Sequence, residues 1–203
     1  MISLFMGLFF ACKSEIDNKE PAQVGDLPKQ TEKTTNVPLK KETNDSNESR
    51  WTLDPSSKVE WVGAKVTKDH VGGFNTVTGN ALVEKQQLKH ITADIEIASL
   101  FSDHPKLTKH LLNVDFFEVE KFAKASFKST EISDGNIKGV LDLHGVKKEI
   151  SFPATISLAE NTVGIQSEFT INRRLWGINY NGRANDLIKD DVLIKLDVRY
   201  KAN

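Results

Sequence analysis

From Trp51 onward, apolar and polar residues change places at almost every step. Ile91, Ala93, Ile95 and Ile97 alternate with Thr92, Asp94 and Glu96, and Ile150, Phe152, Ala154, Ile156 and Leu158 alternate with Ser151, Thr155 and Ser157. The same period of two runs through Val163, Ile165, Phe169 and Ile171 and through Val192, Ile194, Leu196, Val198 and Tyr200. Ile137, Leu141 and Leu143 follow it too, with Gly139 at an inward position. Each stretch describes one apolar face and one wet face of an antiparallel strand. Asp134-Gly135-Asn136, His144-Gly145-Val146-Lys147-Lys148 and Glu160-Asn161 supply the turns between them. With strand-like segments at 58–66, 73–84 and 125–131, about eight strands emerge, the number that closes into a barrel just wide enough for its own side chains or for one ligand.

One segment breaks the alternation. Residues 103–122 carry Leu107, Leu111 and Leu112 at helical spacing, with Asp103 suited to cap the helix and Pro105 to its first turn. The expectation is a short helix over or beside one barrel mouth, as a packed plug or as a ligand gate.

The chain before the barrel is different. Ile2 to Ala11 is an apolar run, too short to span a bilayer and suited to a signal-peptide core, and it ends at Cys12, the single cysteine. Residues 1–12 resemble a bacterial lipoprotein signal, although no Lys or Arg precedes the run. That resemblance implies a lipidated Cys12 and an exported protein held at the outer membrane, facing the periplasm or the cell surface. Residues 13–49 contain no aromatic side chain and only scattered aliphatics. They are expected to be a disordered tether, because so little apolar surface cannot offset the entropy of ordering; as a coil it would span on the order of 35 Å. The barrel domain is then 50–203.

Charge adds exclusions. Lys and Arg (27) nearly balance Asp and Glu (28) over 203 residues, so no basic field favours nucleic acid. Without a cysteine beyond Cys12, the barrel must be held by its own core and holds no thiol nucleophile. No GxSxG elbow or P-loop appears. His70, His104 and His110 do not have zinc-motif spacing, and the pairs Asp190-Asp191 and Glu118/Glu120 lack an obvious base partner. An enzyme is not expected, nor is a cofactor.

Six ordered landmarks carry a family resemblance. They are Trp51–Asp54 with Val59-Glu-Trp61-Val-Gly63-Ala-Lys65; His70-Val-Gly-Gly73-Phe74 with Gly79; and Leu107 to Phe117 followed by Ala125-Ser-Phe127. The others are Gly139 to Lys147 with Ile150-Ser-Phe152-Pro153; Phe169-Thr-Ile-Asn-Arg173 with Trp176-Gly177-Ile178; and Asp190-Asp-Val192. Together they resemble the YceI-like family of polyisoprenoid-binding, lipocalin-like barrels across essentially all of 50–203. The resemblance implies an extended eight-stranded barrel whose hydrophobic tunnel holds a long isoprenoid or similar lipid for transport, storage or sequestration.

The alternation by itself leaves two readings of the inward face, a packed core or a tunnel. Gly63, Gly139 and Ala154 are inward and small, which favours a tunnel over a close-packed interior. Burying about 400 Å² of lipid would supply ~10 kcal/mol before the costs of association. Trp61, Phe74, Phe117, Phe127, Phe152, Phe169 and Trp176 are candidates for its wall. Lys65, His70, Arg173 and Tyr180 are candidates for contacting a head group, a cation being a natural partner for a diphosphate; the competing reading of Arg173 and Arg174 is a solvated strand-end pair or a structural ion pair with a carboxylate. Two alternatives remain open: a metal-binding or hydrolytic protein using His70 and His110, and a solid-core structural or adhesion module; under any of these readings the barrel could pair as a homodimer.

Overall fold

A computed structural model describes residues 14–27, 48–65, 67–133, 135–183 and 186–202. The signal-like run and Cys12 lie outside the described residues. The strands are β1 (Gln23–Gly25), β2 (Glu48–Leu53), β3 (Lys58–Lys65), β4 (Asp69–Phe74), β5 (Val77–Glu84), β6 (Gln87–Glu96) and β7 (Leu100–Ser102). After the helix α1 (Pro105–Leu111) come β8 (Lys124–Ser133), β9 (Asn136–Leu143), β10 (Val146–Pro153), β11 (Thr155–Ala159), β12 (Thr162–Asn172), β13 (Gly182–Arg183) and β14 (Asp186–Ala202).

These segments assemble into an antiparallel barrel of eight staves. β2 and β3 lie end to end along one side of β14, and β12 runs along its other side. β4 with β5 and β6 with β7 are likewise single staves interrupted at one level, pairing outward from β3 and β2 in turn. β8 returns after α1 to pair with β6, and β9 and β10 follow it by tight hairpins. The ring closes through the stave made by β10 and β11, whose first part pairs with β9 and whose second part pairs with β12.

Two of the tight connections show their backbone chemistry. His144 and Gly145 both have positive φ (52° and 74°), as a two-residue hairpin turn with the right twist demands. Lys85 and Gln86 make the corresponding β5–β6 turn at φ 50° and 58° without a glycine, a strain that the long ladder around it absorbs.

Three expectations are corrected. Asp103 does not cap α1. His104 does, its Nδ1 accepting the Lys106 amide at 3.2 Å, while Pro105 takes the first helical position. Asp103 instead faces His70, with Nδ1 2.9 Å from its carboxylate. The helix is also shorter than 103–122, giving way after Leu111 to turns. Asp190 and Asp191 lie within β14, where its pairing with β3 shifts between Ile188 and Val192.

The third correction concerns the tether. Within 13–49, residues 14–27 are structured. Glu15–Asn18 form one 3-10 turn capped by Ser14, and β1 adds to the outer edge of β10, with Gln23 opposite Ser151 and Gly25 opposite Glu149. Pro21 bridges Thr170 of β12, and the Ala22 amide donates to the Thr170 carbonyl at 2.8 Å. The segment therefore fills the seam where β10 and β12 diverge before the β11 pairing. Its composition was too poor to build a core, but it needs none. Ile16 lands on Val62, Ala64 and Leu193, which are apolar on the outward face of β3 and β14. Ala22 joins the main core. Ion pairs fix the rest: Glu15 with Lys195, Asp17 with Lys189, Lys19 with Glu168, and Asp26 with Lys148.

Candidate functional site

The inward faces do not meet. They leave a cavity of about 240 Å³ running through the barrel. Lining positions follow β14 from Ile188 to Tyr200, roughly 30 Å of depth at the usual strand rise and tilt. That volume spread over that depth leaves width for a single extended chain. The wall is apolar almost throughout; Lys65, His70, Arg173 and Tyr200 are its polar contributors. Tyr200 is buried, with its hydroxyl donating to the Thr92 carbonyl at 3.1 Å, and burial pushes its phenol well above the ordinary value.

The two ends differ. Toward the mid-barrel Phe127, Phe152 and Phe169 stack, the last two with ring centres 4.3 Å apart and nearly parallel. Near β3 and β4 the opening is framed by α1 and the turns after it. Here Leu100, Leu111, Phe116 and Ile178 form a separate apolar cluster with Trp61, Phe74, Leu107 and Phe117 packed against it. The helix is thus part of the tunnel mouth and not a plug sealing it: Leu107 and Leu111 themselves line the lumen.

Of the residues singled out from sequence, Trp61, Gly63, Phe74, Phe117, Phe127, Phe152 and Phe169 line the cavity, as do Lys65, His70 and Arg173. Tyr180 lies outside the tunnel proper, at its mouth, edge-on to His110 with ring centres 4.8 Å apart. Two do not line it. Trp176 is fully buried in the core, its indole N–H directed at the Leu141 carbonyl at 3.5 Å. Gly139 is inward, but a Cβ there would lie 2.5 Å from both the Lys128 carbonyl and the Phe127 ring; its lack of a side chain seats an aromatic ring and opens no space. Ala154 is also buried away from the lumen wall.

Gly63 behaves as expected of a tunnel residue. A Cβ at this position would meet only the Trp61 ring, at 3.7 and 3.9 Å, both ordinary contacts. Ala93 and Ala125 face the same space.

Arg173 is a structural cation. It is buried, with its Nε donating to the Lys189 carbonyl (3.2 Å), Nη1 to the Ile178 carbonyl (2.5 Å) and Nη2 to Asp190 (3.2 Å). Burial lowers its pKa and Asp190 partly opposes that. Arg174 shares the same carboxylate. These bonds tie the turn 173–178 to the bulge of β14 and fix the rim of the mouth. Among the described residues, no three His, Cys, Asp or Glu side chains converge to hold a metal ion, and no helix is long and apolar enough to cross a membrane.

Sequence reasoning missed Ile188, Phe116 and the two helical leucines as lining groups. The leucines carried a signal in their spacing. Ile188 did not: it keeps the phase of Val192 and Ile194, but Asp190 stands at the position between and breaks the apolar alternation, where the pairing of β14 with β3 shifts.

Fold and cavity together define a closed antiparallel barrel enclosing a narrow apolar tunnel. A model of the YceI-like domain matches residues 51–200, and the chain belongs to that family. Relatives include UPF0312 proteins of Pseudomonas putida (strain W619), 28% identical over 137 residues spanning 61% of this chain and 71% of the relative. Another from Vibrio parahaemolyticus is 33% identical over 111 residues, covering 51% of this chain and 57% of that one. Among solved structures, Burkholderia cenocepacia BcnA superposes with a TM-score of 0.66 at 18% identity, covering 72% of this chain and 98% of BcnA. A polyisoprenoid binding domain from Saccharophagus degradans, implicated in plant cell wall breakdown, gives 0.64 at 15%, with 75% and 98% covered. These two share the fold.

Proposed function

We propose that the barrel binds one long hydrophobic lipid, a polyisoprenoid or similar amphiphile, along its lumen and carries or sequesters it without altering it. The observation that carries this reading is the continuous apolar cavity, narrow, deep and open beside α1. Such a shape suits an extended chain and offers almost no polar group along its length. The name of the Saccharophagus degradans neighbour supports the same ligand class. Among the described residues, the polar groups that reach the wall are a buried structural arginine, a hydrogen-bonded phenol and two side chains at the mouth.

Isolation of the protein from its native cells, followed by lipid extraction and mass spectrometry, tests the reading. A long-chain lipid in near-stoichiometric amount is expected. Repeated preparations free of any lipid, together with failure of added prenols to bind, would sink it.

The same reading places the protein at a membrane through lipidated Cys12. Residue 14 lies against Asp69, its hydroxyl donating to the carboxylate at 2.9 Å, next to His70 at the tunnel mouth. An anchor at Cys12 would therefore hold the mouth close to the bilayer instead of at the end of a long coil. Cys12→Ser should release the protein from the membrane fraction, and a variant that stays there would remove the anchor from this account.

A further inference from the structure

The residues that match the family do not close the barrel wall by themselves. Among the described residues, β10 pairs with β9 and β1, and β12 with β11 and β14. β10 and β12 touch where the Ser167 hydroxyl donates to the Pro153 carbonyl, and then part. Residues 20–25 fill the gap. On one side the Thr170 amide donates to the Glu20 carbonyl at 3.0 Å and the Ala22 amide to the Thr170 carbonyl at 2.8 Å. On the other, Gln23, Val24 and Gly25 stand opposite Ser151, Ile150 and Glu149. Ile150 and Ile171 line the lumen from the two banks of this seam. Thr170 is opposite Leu193 of β14, so the seam lies in the half of the tunnel that ends at Ile188 and α1. The filling segment precedes residues 51–200, where the family match lies.

We infer that this seam is a side entrance to the tunnel and that residues 14–27 are its movable door. The inference rests on the tunnel reading and adds to it a route for the ligand. The hold on the segment is slight where it closes the lumen. Of residues 20–25, Ala22 is buried and Val24 half-buried, and the others are exposed. Lys19 pairs with Glu168 on β12 and Asp26 with Lys148 on β10, fastening the two ends; partly exposed pairs of this kind each add little. When the segment leaves, the backbone groups of the seam turn to water, which satisfies them, so opening leaves no polar atom of the seam buried and unpaired. A stretch held in this way opens far more often than the whole barrel unfolds.

The face it uncovers is apolar. Ile150 and Phe152 of β10 and Phe169 and Ile171 of β12 line the lumen there, and the Phe152 and Phe169 rings stack with centres 4.3 Å apart. A tunnel one chain wide and roughly 30 Å deep takes a long lipid end-on only by threading it past every wall residue in turn. A slit along its mouth-side half lets the chain enter broadside.

The test locks the door. In the full chain carrying Cys12→Ser, the substitutions Gln23→Cys and Ser151→Cys fall on register partners and are oxidised with oxidised glutathione to a disulfide joining the segment to β10. Uptake of geranylgeraniol, and its release to phosphatidylcholine vesicles, are followed by stopped-flow tryptophan fluorescence, because Trp61 lines the tunnel. The lock is expected to slow both rates by about tenfold or more with Kd unchanged, and reduction should restore them. Lys19→Met together with Asp26→Asn, which removes both fastenings, should speed both rates about threefold and hasten exchange of the Thr170 amide. Equal rates with the bridge closed and open, or rates that the unfastened variant leaves unchanged, overturn the side entrance and leave the tunnel standing with the opening beside α1 as its way in. Failure of geranylgeraniol to bind the unlocked protein overturns the tunnel reading itself, and with it this inference.

Discussion

Gly63→Leu separates the tunnel from the fold. Gly63 sits on β3 with the space above its Cα open to the lumen, and only the Trp61 ring approaches a Cβ built there, at 3.7 Å. Leucine at this position would put four carbon atoms where a ligand chain has to pass. Each displaced methylene of ligand forfeits about 0.8 kcal/mol of burial, so roughly four of them cost ~3 kcal/mol, close to two orders of magnitude in Kd. The fold should not suffer. A leucine replaces a residue that weakens a strand interior, and the new side chain fills space where the wall atoms lack neighbours. Calorimetric titration with a C20 prenol, alongside thermal unfolding without lipid, reads both quantities. The expected result is a Tm equal to or above that of the unmodified protein with binding weakened about a hundredfold. A variant that folds normally and binds the prenol with unchanged affinity would show that the chain does not run past β3, and the lumen would lose its assigned role.

Gly139→Ala should do the reverse, because a Cβ there meets the Lys128 carbonyl and the Phe127 ring at 2.5 Å; a loss of about 1–3 kcal/mol in urea unfolding is expected from overpacking, and a neutral result would contradict the close approach. Ile16→Ala removes a large apolar contact between the N-terminal segment and the outer wall, so it should cost about 2 kcal/mol and speed amide exchange in β1 and β10; unchanged exchange would mean that the segment does not depend on that contact. The Lys201 ammonium and the Ser56 hydroxyl and amide beside Asp54 hold its carboxyl well below the ordinary carboxylate range. Its folded value being lower than its unfolded one, its contribution to stability is complete above about pH 4 and is lost as pH falls through the folded value. The Tm gap between the protein and Asp54→Asn should therefore stay constant from pH 7 to about pH 4 and narrow below it; a gap that widens in acid would refute the sign.

How far the sequence discloses this structure depends on what set each feature. The staves were legible because period-two alternation records burial directly, and the turns because His144-Gly145 and Gly135 need positive φ. The interruptions within staves were not, since a strand that breaks at 54–57 or 75–76 and resumes on the same neighbour alternates much as two separate strands do. The N-terminal segment was misjudged for a physical reason: composition reports whether a stretch can build a core, not whether it can dock on one. A clue existed on the receiving side. Trp61, Val62, Gly63 and Ala64 leave β3 without a wet face, and Leu193 does the same locally for β14; an outward apolar patch on a barrel requires a cover. The site shows the same division. Aromatic wall positions followed from strand phase, whereas the polar rim of the mouth joins Lys65 of β3 and His70 of β4 to His104 and His110 beside and on α1, and the separations in sequence that bring these together are fixed by tertiary packing alone.

The lumen also has an energetic cost that bears on function. Keeping about 240 Å³ of apolar space unfilled by side chains forgoes ~6 kcal/mol at about 24 cal/mol per Å³, comparable with the whole net stability of many domains. Closing that space would take little, because Gly63, Ala93 and Ala125 all face it and larger side chains would restore the missing contacts. A chain that fills the tunnel supplies those contacts instead, so occupancy and stability should be linked. Above the Kd, each tenfold rise in free lipid is expected to add about 1.4 kcal/mol, visible as a Tm that climbs with lipid concentration and falls back on delipidation. Urea unfolding of delipidated and prenol-loaded protein measures the difference. Equal stability with and without a bound prenol would mean that the lumen repacks when emptied, and the hollow would then not be a built feature of the barrel.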